Sequence, residues 1–143
     1  MLQDTAAEYK KFIESVAASK LVWGLKNKQG FANTNSSDDD GVSVIPFWSE
    51  RAYAKSCASG EWKGYVPTEI PLPEFLESWC MEMAEEEIVA GVNWDANLYG
   101  TESEALNLAL DILNRLAVIN SAITFSNYKS INEYITEIKE SVD

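Results

Sequence analysis

The sequence predicts an α+β protein, in which a single sheet of about four to five mostly antiparallel strands has helices packed against it. Apolar residues recur at helical spacing in four separate segments of the 143-residue chain, which indicates amphipathic helices. Short runs rich in β-branched and aromatic residues lie between these segments in an irregular order. That order is typical of α+β folds rather than of strictly alternating α/β folds. The length favours a single domain over 1–143.

A helix and a hairpin begin the chain. Five apolar side chains share one face of a helix predicted over 5–18, namely Tyr9, Phe12, Ile13, Val16 and Ala17. Strands are predicted over 21–26 and 31–34, on either side of a short polar connection that ends in Gly30. Because glycine readily adopts the positive φ of a tight reversal, this pattern predicts a β-hairpin.

The middle of the chain predicts two strands separated by a short helix. The run over 42–48 is rich in β-branched and aromatic residues. Pro46 within it indicates an edge position or the end of the strand, because proline has no amide donor. Ser49 is expected to cap a helix over 50–58. A turn and an irregular strand follow over 61–70.

The second half predicts a helix, then a strand. A helix is predicted over 73–85, with Pro73 in its first turn, where proline is tolerated. Its apolar residues lie on one face of the helix. Residues 86–94 alternate in the manner of a strand, and the apolar content on both faces predicts an interior position.

Two helices are expected at the C-terminal end. Thr101 and Glu104 are spaced as a capping box before a well-buried helix over 105–117. The segment 119–126 is compatible with a helix end or a short strand. Ser130 is expected to cap the last helix.

The charge of the chain excludes some partners. Its net charge is −12, so nucleic acid and anionic membranes would be repelled. No apolar run approaches the roughly 20 residues of a membrane helix, and the polar N-terminus does not resemble a signal peptide. A cytoplasmic protein is expected. The negative charge serves solubility, or else complements a basic protein partner.

The absence of histidine from the sequence excludes catalytic triads with histidine and histidine-ligated metals. Cys57 and Cys80 are expected to be reduced, buried residues. The acidic loop at 38–40 does not form an EF-hand, because Phe47 would occupy the position of the last carboxylate ligand. We therefore expect no enzyme activity, no cofactor and no metal site.

Acidic residues near the middle of the chain are a candidate catalytic pair. The run 85–87 and Asp95 could supply two carboxylates for glycoside chemistry. Consecutive residues at a helix end point in different directions, however, and no pattern holds a second acid opposite them. The prediction is a solvated helix terminus followed by a strand.

The tryptophans fall into two predicted groups. Three are expected in or near the core, namely Trp23, Trp79 and Trp94. Trp48 and Trp62 adjoin turn or helix-start residues and are expected to reach the surface. Together with Arg51 and Tyr65 they form a candidate partner-binding patch, because exposed aromatic and arginine side chains are enriched in binding hot spots.

Several motifs resemble the uncharacterised bacterial family called domain of unknown function 2750. They are LVWGL at 21–25, GFA at 30–32, IPFWS at 45–49, RAYA at 51–54 and EIPLPEFLESW at 69–79. The resemblance covers about 9–113 and leaves a C-terminal helical extension at about 117–143. It implies a small cytoplasmic α+β protein of unassigned activity and supplies no catalytic residues.

The expected function is a non-enzymatic, acidic protein-interaction module. Such a module could neutralise a basic partner, as immunity proteins do. Two other interpretations remain open at this point: a small-ligand-binding or regulatory domain, and a structural subunit that forms homo-oligomers through its final helix.

Overall fold

Helices and strands alternate irregularly along residues 5–36 and 41–142, the part of the chain that the computed structural model describes. The helices are α1 (Thr5–Ser19), α2 (Arg51–Ser56), α3 (Leu72–Glu74), α4 (Cys80–Glu85), α5 (Ala105–Val118) and α6 (Ile131–Val142). The strands are β1 (Leu21–Asn27), β2 (Gly30–Phe31), β3 (Thr34–Asn35), β4 (Ser43–Phe47), β5 (Val66–Pro71), β6 (Val89–Val92) and β7 (Thr101–Glu104). The predicted α+β class is confirmed. The acidic loop at 38–40 lies outside the described residues.

The first sheet has the order β2-β1-β5 and is antiparallel throughout. β1 and β2 form the predicted hairpin, in which Asn27 pairs with Gly30 across a two-residue turn. Gly30 has a φ of +129°, which other residues rarely adopt. The return strand ends at Phe31, earlier than predicted, and the chain then crosses to the other sheet.

β5 forms an outer edge of this sheet, and its prolines protect that edge. The amide of Leu72 donates to the carbonyl of Lys20 at 2.9 Å. In this antiparallel register, the backbone N–H and C=O groups of the even-numbered residues of β5 therefore point toward β1. The residues whose backbone groups point away from β1, toward the open edge, are Pro67, Glu69 and Pro71. Proline has no amide donor, so this edge is a poor template for an incoming strand.

The second sheet has the order β3-β4-β6-β7. β4 and β6 are parallel, and the other pairs are antiparallel. β6 is therefore interior, as predicted. β4 is interior as well, so the edge position suggested by Pro46 is wrong, whereas the alternative, a position at the end of the strand, is confirmed. β3 pairs only with Ser43 and Val44, so Pro46 lies beyond β3 and one residue before the end of its strand.

The strands divide into two sheets, which differs from the single predicted sheet. Trp23 and Trp48 exchange both backbone hydrogen bonds at 2.8 Å, but this is an isolated bridge. The chain turns toward α2 directly afterwards, so β1 and β4 form no longer ladder. Two strands of two residues each, β2 and β3, raise the strand number above the predicted four to five.

The main apolar cluster joins α1, α5 and the helical segment that runs from α3 to α4. Residues Phe75–Trp79, between α3 and α4, form a π-helical segment. The helices predicted over 5–18, 73–85 and 105–117 are confirmed to within one residue at each end. Their predicted apolar faces form the core, as in α1, which buries Phe12, Ile13, Val16 and Ala17.

Two predicted helix caps are wrong, and one is confirmed. Ser49 is buried, and its hydroxyl accepts a hydrogen bond from the Asn93 side-chain amide at 3.1 Å instead of capping α2. Thr101–Glu104 is strand β7 rather than a capping box. Ser130 does cap α6, because its hydroxyl accepts the amide of Glu133 at 3.1 Å.

A segment without helix or strand, 119–130, connects α5 to α6. Residues 119–126, whose sequence is compatible with a helix end or a short strand, therefore form neither. α6 then packs on the main apolar cluster through Tyr134, Ile135 and Ile138, which are all buried. The C-terminal extension is thus part of the same core as α5.

Candidate functional site

An acidic groove of about 460 Å³ lies at the end of the second sheet where β6 begins. Its apolar lining comes from the residue before β4, the last turn of α4, the start of β6 and the start of α5: Val42, Met83, Ala84, Ile88, Val89, Ala105 and Leu106. Glu87 and Glu104 complete the lining, and both side chains are exposed. The acidic groove therefore offers apolar contact area and negative charge side by side.

The end of α4 positions Glu87. The amide of Ile88 donates to the carbonyl of Met83 at 2.8 Å, and the amide of Glu87 donates to that of Ala84 at 3.3 Å. This pair of bonds is a Schellman motif, in which glycine usually occupies the position of Glu87. Glu87 has a φ of +59°, which costs a residue with a Cβ about 1–2 kcal/mol. A carboxylate is thus held where glycine would be less strained.

Antiparallel pairing brings Glu104 to the same groove. β7 pairs with β6 in a register that places Glu104 opposite Val89. Glu104 is also the N-cap residue of α5, and the N-terminal end of a helix favours negative charge. Two carboxylates that are distant in the sequence therefore line one groove.

The surroundings of the groove are strongly acidic. Within the described residues, the side chains of Glu87 and Glu104 take part in no hydrogen bond or ion pair. Glu85 and Glu86, just before Glu87, are exposed as well. Residues 64–118 contain eleven acidic residues and a single basic one. Charge of one sign around a groove attracts ligands of the opposite sign.

Two of the four residues in the predicted partner-binding patch are buried in the core, and the other two are exposed or half-buried. Trp48 is 0% exposed and Trp62 is 3% exposed, and their rings meet edge to face at 6.4 Å. The expectation that these indoles reach the surface is wrong, because both side chains enter the second apolar cluster. Arg51 is exposed at the start of α2, and Tyr65 is half-buried against that cluster.

The polar groups of the buried indoles have hydrogen-bond partners, starting with Trp48. Its Nε1 donates to the carbonyl of Trp94 at 2.9 Å, and the Cys57 thiol donates to the same carbonyl at 3.4 Å. The indole of Trp94 donates to the carbonyl of Thr101 at 3.0 Å.

Burial raises the pKa of the Cys57 thiol, so this cysteine is a poor nucleophile. The tryptophans predicted for the core are buried or half-buried: Trp23, Trp79 and Trp94.

Across residues 5–36 and 41–142, no three cysteine, aspartate or glutamate side chains are grouped so that they could hold a metal ion. None of the helices described there combines the length and the apolar character needed to cross a membrane.

Comparison with known proteins identifies a family for this chain. A family model described as protein of unknown function (DUF2750) matches residues 9–112. This chain belongs to the DUF2750 family. No curated protein and no solved structure matches it.

The DUF2750 match contains the whole acidic groove, whose lining residues lie between Val42 and Leu106. It ends at Ile112, inside α5, and excludes α6. The acidic groove is therefore built from the part of the chain that defines the family, whereas α6 lies in the C-terminal extension.

The sequence pattern of this DUF2750 protein did not reveal that Glu87 and Glu104 line one groove. A solvated helix end is expected at 85–87, with no second acid held nearby, but β7 supplies that acid. The one signal for β7 is Gly100 followed by the β-branched Thr101. Asp95, the other candidate acid, accepts the amides of Asn97 and Tyr99 in the turn that follows it.

Proposed function

We propose that this DUF2750 protein is a non-enzymatic, cytoplasmic interaction module that binds a basic segment of a partner protein in the acidic groove. The observation that carries the proposal is the combination of an apolar lining with two exposed carboxylates, Glu87 and Glu104, that have no partner among the described residues. Neutralisation of a basic partner, in the manner of an immunity protein, is the form of this function that the net charge of −12 favours.

Charge complementarity supports a protein partner with basic side chains. Negative potential around a groove steers a basic partner toward it and rejects acidic competitors. Apolar contacts then contribute to affinity, because the long stems of basic side chains cover apolar surface while their charged ends stay at the rim. The groove is suited to both contributions.

The remaining chemistry of the chain supports a binding role. The sequence has no histidine, the residue most often used as a general acid or base near neutral pH. Cys57 and Cys80 are free thiols and both buried, which fits a protein that works in a reducing compartment. Binding through surface charge and shape requires no such reactive groups.

The proposal is tested by affinity capture with three forms of the full-length chain. The forms are the wild type, E87Q/E104Q, and the matched control E50Q/E61Q, which removes the same charge from exposed residues outside the groove lining. We expect the wild type and the control to retain the same basic protein, more weakly at moderate than at low salt. E87Q/E104Q should lose it. Equal retention by all three forms would contradict the proposal.

A small cationic ligand is the second candidate for the acidic groove. Its volume of about 460 Å³ falls within the range of roughly 300–1,000 Å³ typical of small-molecule sites. Thermal-shift screening of organic amines against the wild type and E87Q/E104Q would test this candidate. Self-association through α6 receives no such support, because Tyr134, Ile135 and Ile138 of that helix are buried in the core of the same chain.

A further inference from the structure

We infer that the acidic groove accepts one arginine side chain of its partner, with the aliphatic stem on the apolar lining and the guanidinium group between Glu87 and Glu104. This inference rests on the proposed function and specifies the residue that the partner contributes. It follows from two features of the groove: its lining and the origin of its two carboxylates.

The lining matches a long side chain with a charged end. Met83 is buried, while Ile88 and Leu106 are half-buried and present apolar surface to the groove. A compact inorganic cation would leave this surface exposed to water. An arginine stem covers it, which removes apolar area from solvent.

The two carboxylates favour arginine over lysine. Glu87 follows α4 and Glu104 ends β7, so the acids reach the groove from two separate elements. A guanidinium group has five donors in one plane and can donate to two carboxylates at once, whereas an ammonium group is a compact and more strongly hydrated charge. The partner residue should therefore be arginine.

The test uses small molecules and the ¹⁵N-labelled full-length chain. N-acetyl-arginine amide is titrated while amide shifts are followed by NMR, alongside three comparisons: N-acetyl-citrulline amide without the charge, methylguanidinium without the stem, and N-acetyl-lysine amide. The arginine compound should shift the amides of Ile88, Val89 and Leu106. It should bind about tenfold more tightly than the citrulline and methylguanidinium compounds, a difference of about one decade in Kd, and more tightly than the lysine compound.

Variants complete the test. E87Q/E104Q should lose the arginine-dependent shifts, and E50Q/E61Q should keep them. Equal binding of the citrulline compound, shifts scattered over all exposed acids, or shifts unchanged in E87Q/E104Q would each overturn the inference. If these titrations fail but capture of a basic partner still depends on Glu87 and Glu104, the proposed function stands and the arginine assignment is wrong. If the titrations succeed but no partner is captured, the proposed function fails instead.

Discussion

Glu87 shows how one residue can lower the stability of a fold while adding a charge to its surface. Its φ of +59° lies in the region that glycine adopts freely. Asn120 occupies the equivalent position after α5, with a φ of +51°, and asparagine tolerates this conformation better than glutamate does. The residue after α5 is therefore well suited to the left-handed position, whereas the residue after α4 places a carboxylate there at an energetic cost.

Glu87→Gly is expected to stabilise the protein. Relief of the left-handed strain exceeds the extra chain entropy of glycine, so the free energy of unfolding should rise by about 0.5–1 kcal/mol. Denaturant unfolding at neutral pH measures the change, and E87Q separates the loss of charge from the backbone effect.

Lys20 supplies the matched control for this prediction. It follows α1 with a φ of +63° and is distant in sequence from the groove lining. Lys20→Gly should stabilise the protein to a similar degree and leave arginine binding unchanged, whereas Glu87→Gly should abolish that binding. A destabilised Glu87→Gly variant would refute the strain argument.

At the scale of elements, α6 is joined to the core through the π-helical segment. The hydroxyl of Tyr134 donates to the carbonyl of Leu76, inside that segment. Glu77, one residue later, accepts the amides of Ser126 and Asn127. The ring of Tyr134 stacks on that of Tyr128 at 4.0 Å. The same five-residue segment therefore holds both α6 and the connection that leads to it.

Tyr134→Phe should lower the free energy of unfolding by about 1 kcal/mol, because a buried hydrogen bond is lost while the ring remains. Tyr128→Phe keeps the ring stack and removes a less buried hydroxyl, so its effect should be smaller. Chemical denaturation of both variants provides the comparison. Equal effects would mean that the bond to Leu76 does not contribute to the docking of α6.

The elements also show what the sequence could and could not predict. Long helices such as α1 and α5 were predictable, because their apolar faces repeat over several turns. β2 and β3 have two residues each, too few for any alternation to appear. β7 was mistaken for a capping box, because Thr101 and Glu104 have the right spacing and only its pairing with β6 makes it a strand. The acidic groove depends on that pairing and was missed with it.

For the whole molecule, the absence of histidine and the buried hydroxyl and thiol groups determine the response to pH. Burial raises the pKa of Cys80 above its ordinary value of 9.0 and that of Tyr134 above 10.0. Above pH 9 the unfolded chain loses protons that the folded chain keeps. The unfolded state then binds fewer protons, so stability falls as pH rises. Below pH 9 both states keep these protons and the stabilisation is complete.

The free energy of unfolding should therefore change little between pH 6 and 8, where histidine would titrate, and decline above about pH 9. Urea unfolding across this range measures the profile. In a variant that lacks both buried thiols, with Cys57→Ala and Cys80→Ala combined, the decline should begin closer to pH 10, because tyrosine then becomes the first buried group to titrate. A steep change near pH 6.5, or an unaltered onset in the variant, would contradict this explanation.

The charge distribution of the whole molecule supports the proposed role of the acidic groove, since residues 64–118 carry eleven of the 23 acidic residues and one of the 11 basic residues. The most direct measurement is amide hydrogen exchange of the full-length chain, alone and with its captured basic partner. The account predicts new protection at 83–89 and 104–106, around the groove. Protection confined to the surface around Arg51 and Tyr65, or to α6, would show that the partner binds elsewhere and that the acidic groove is not its site.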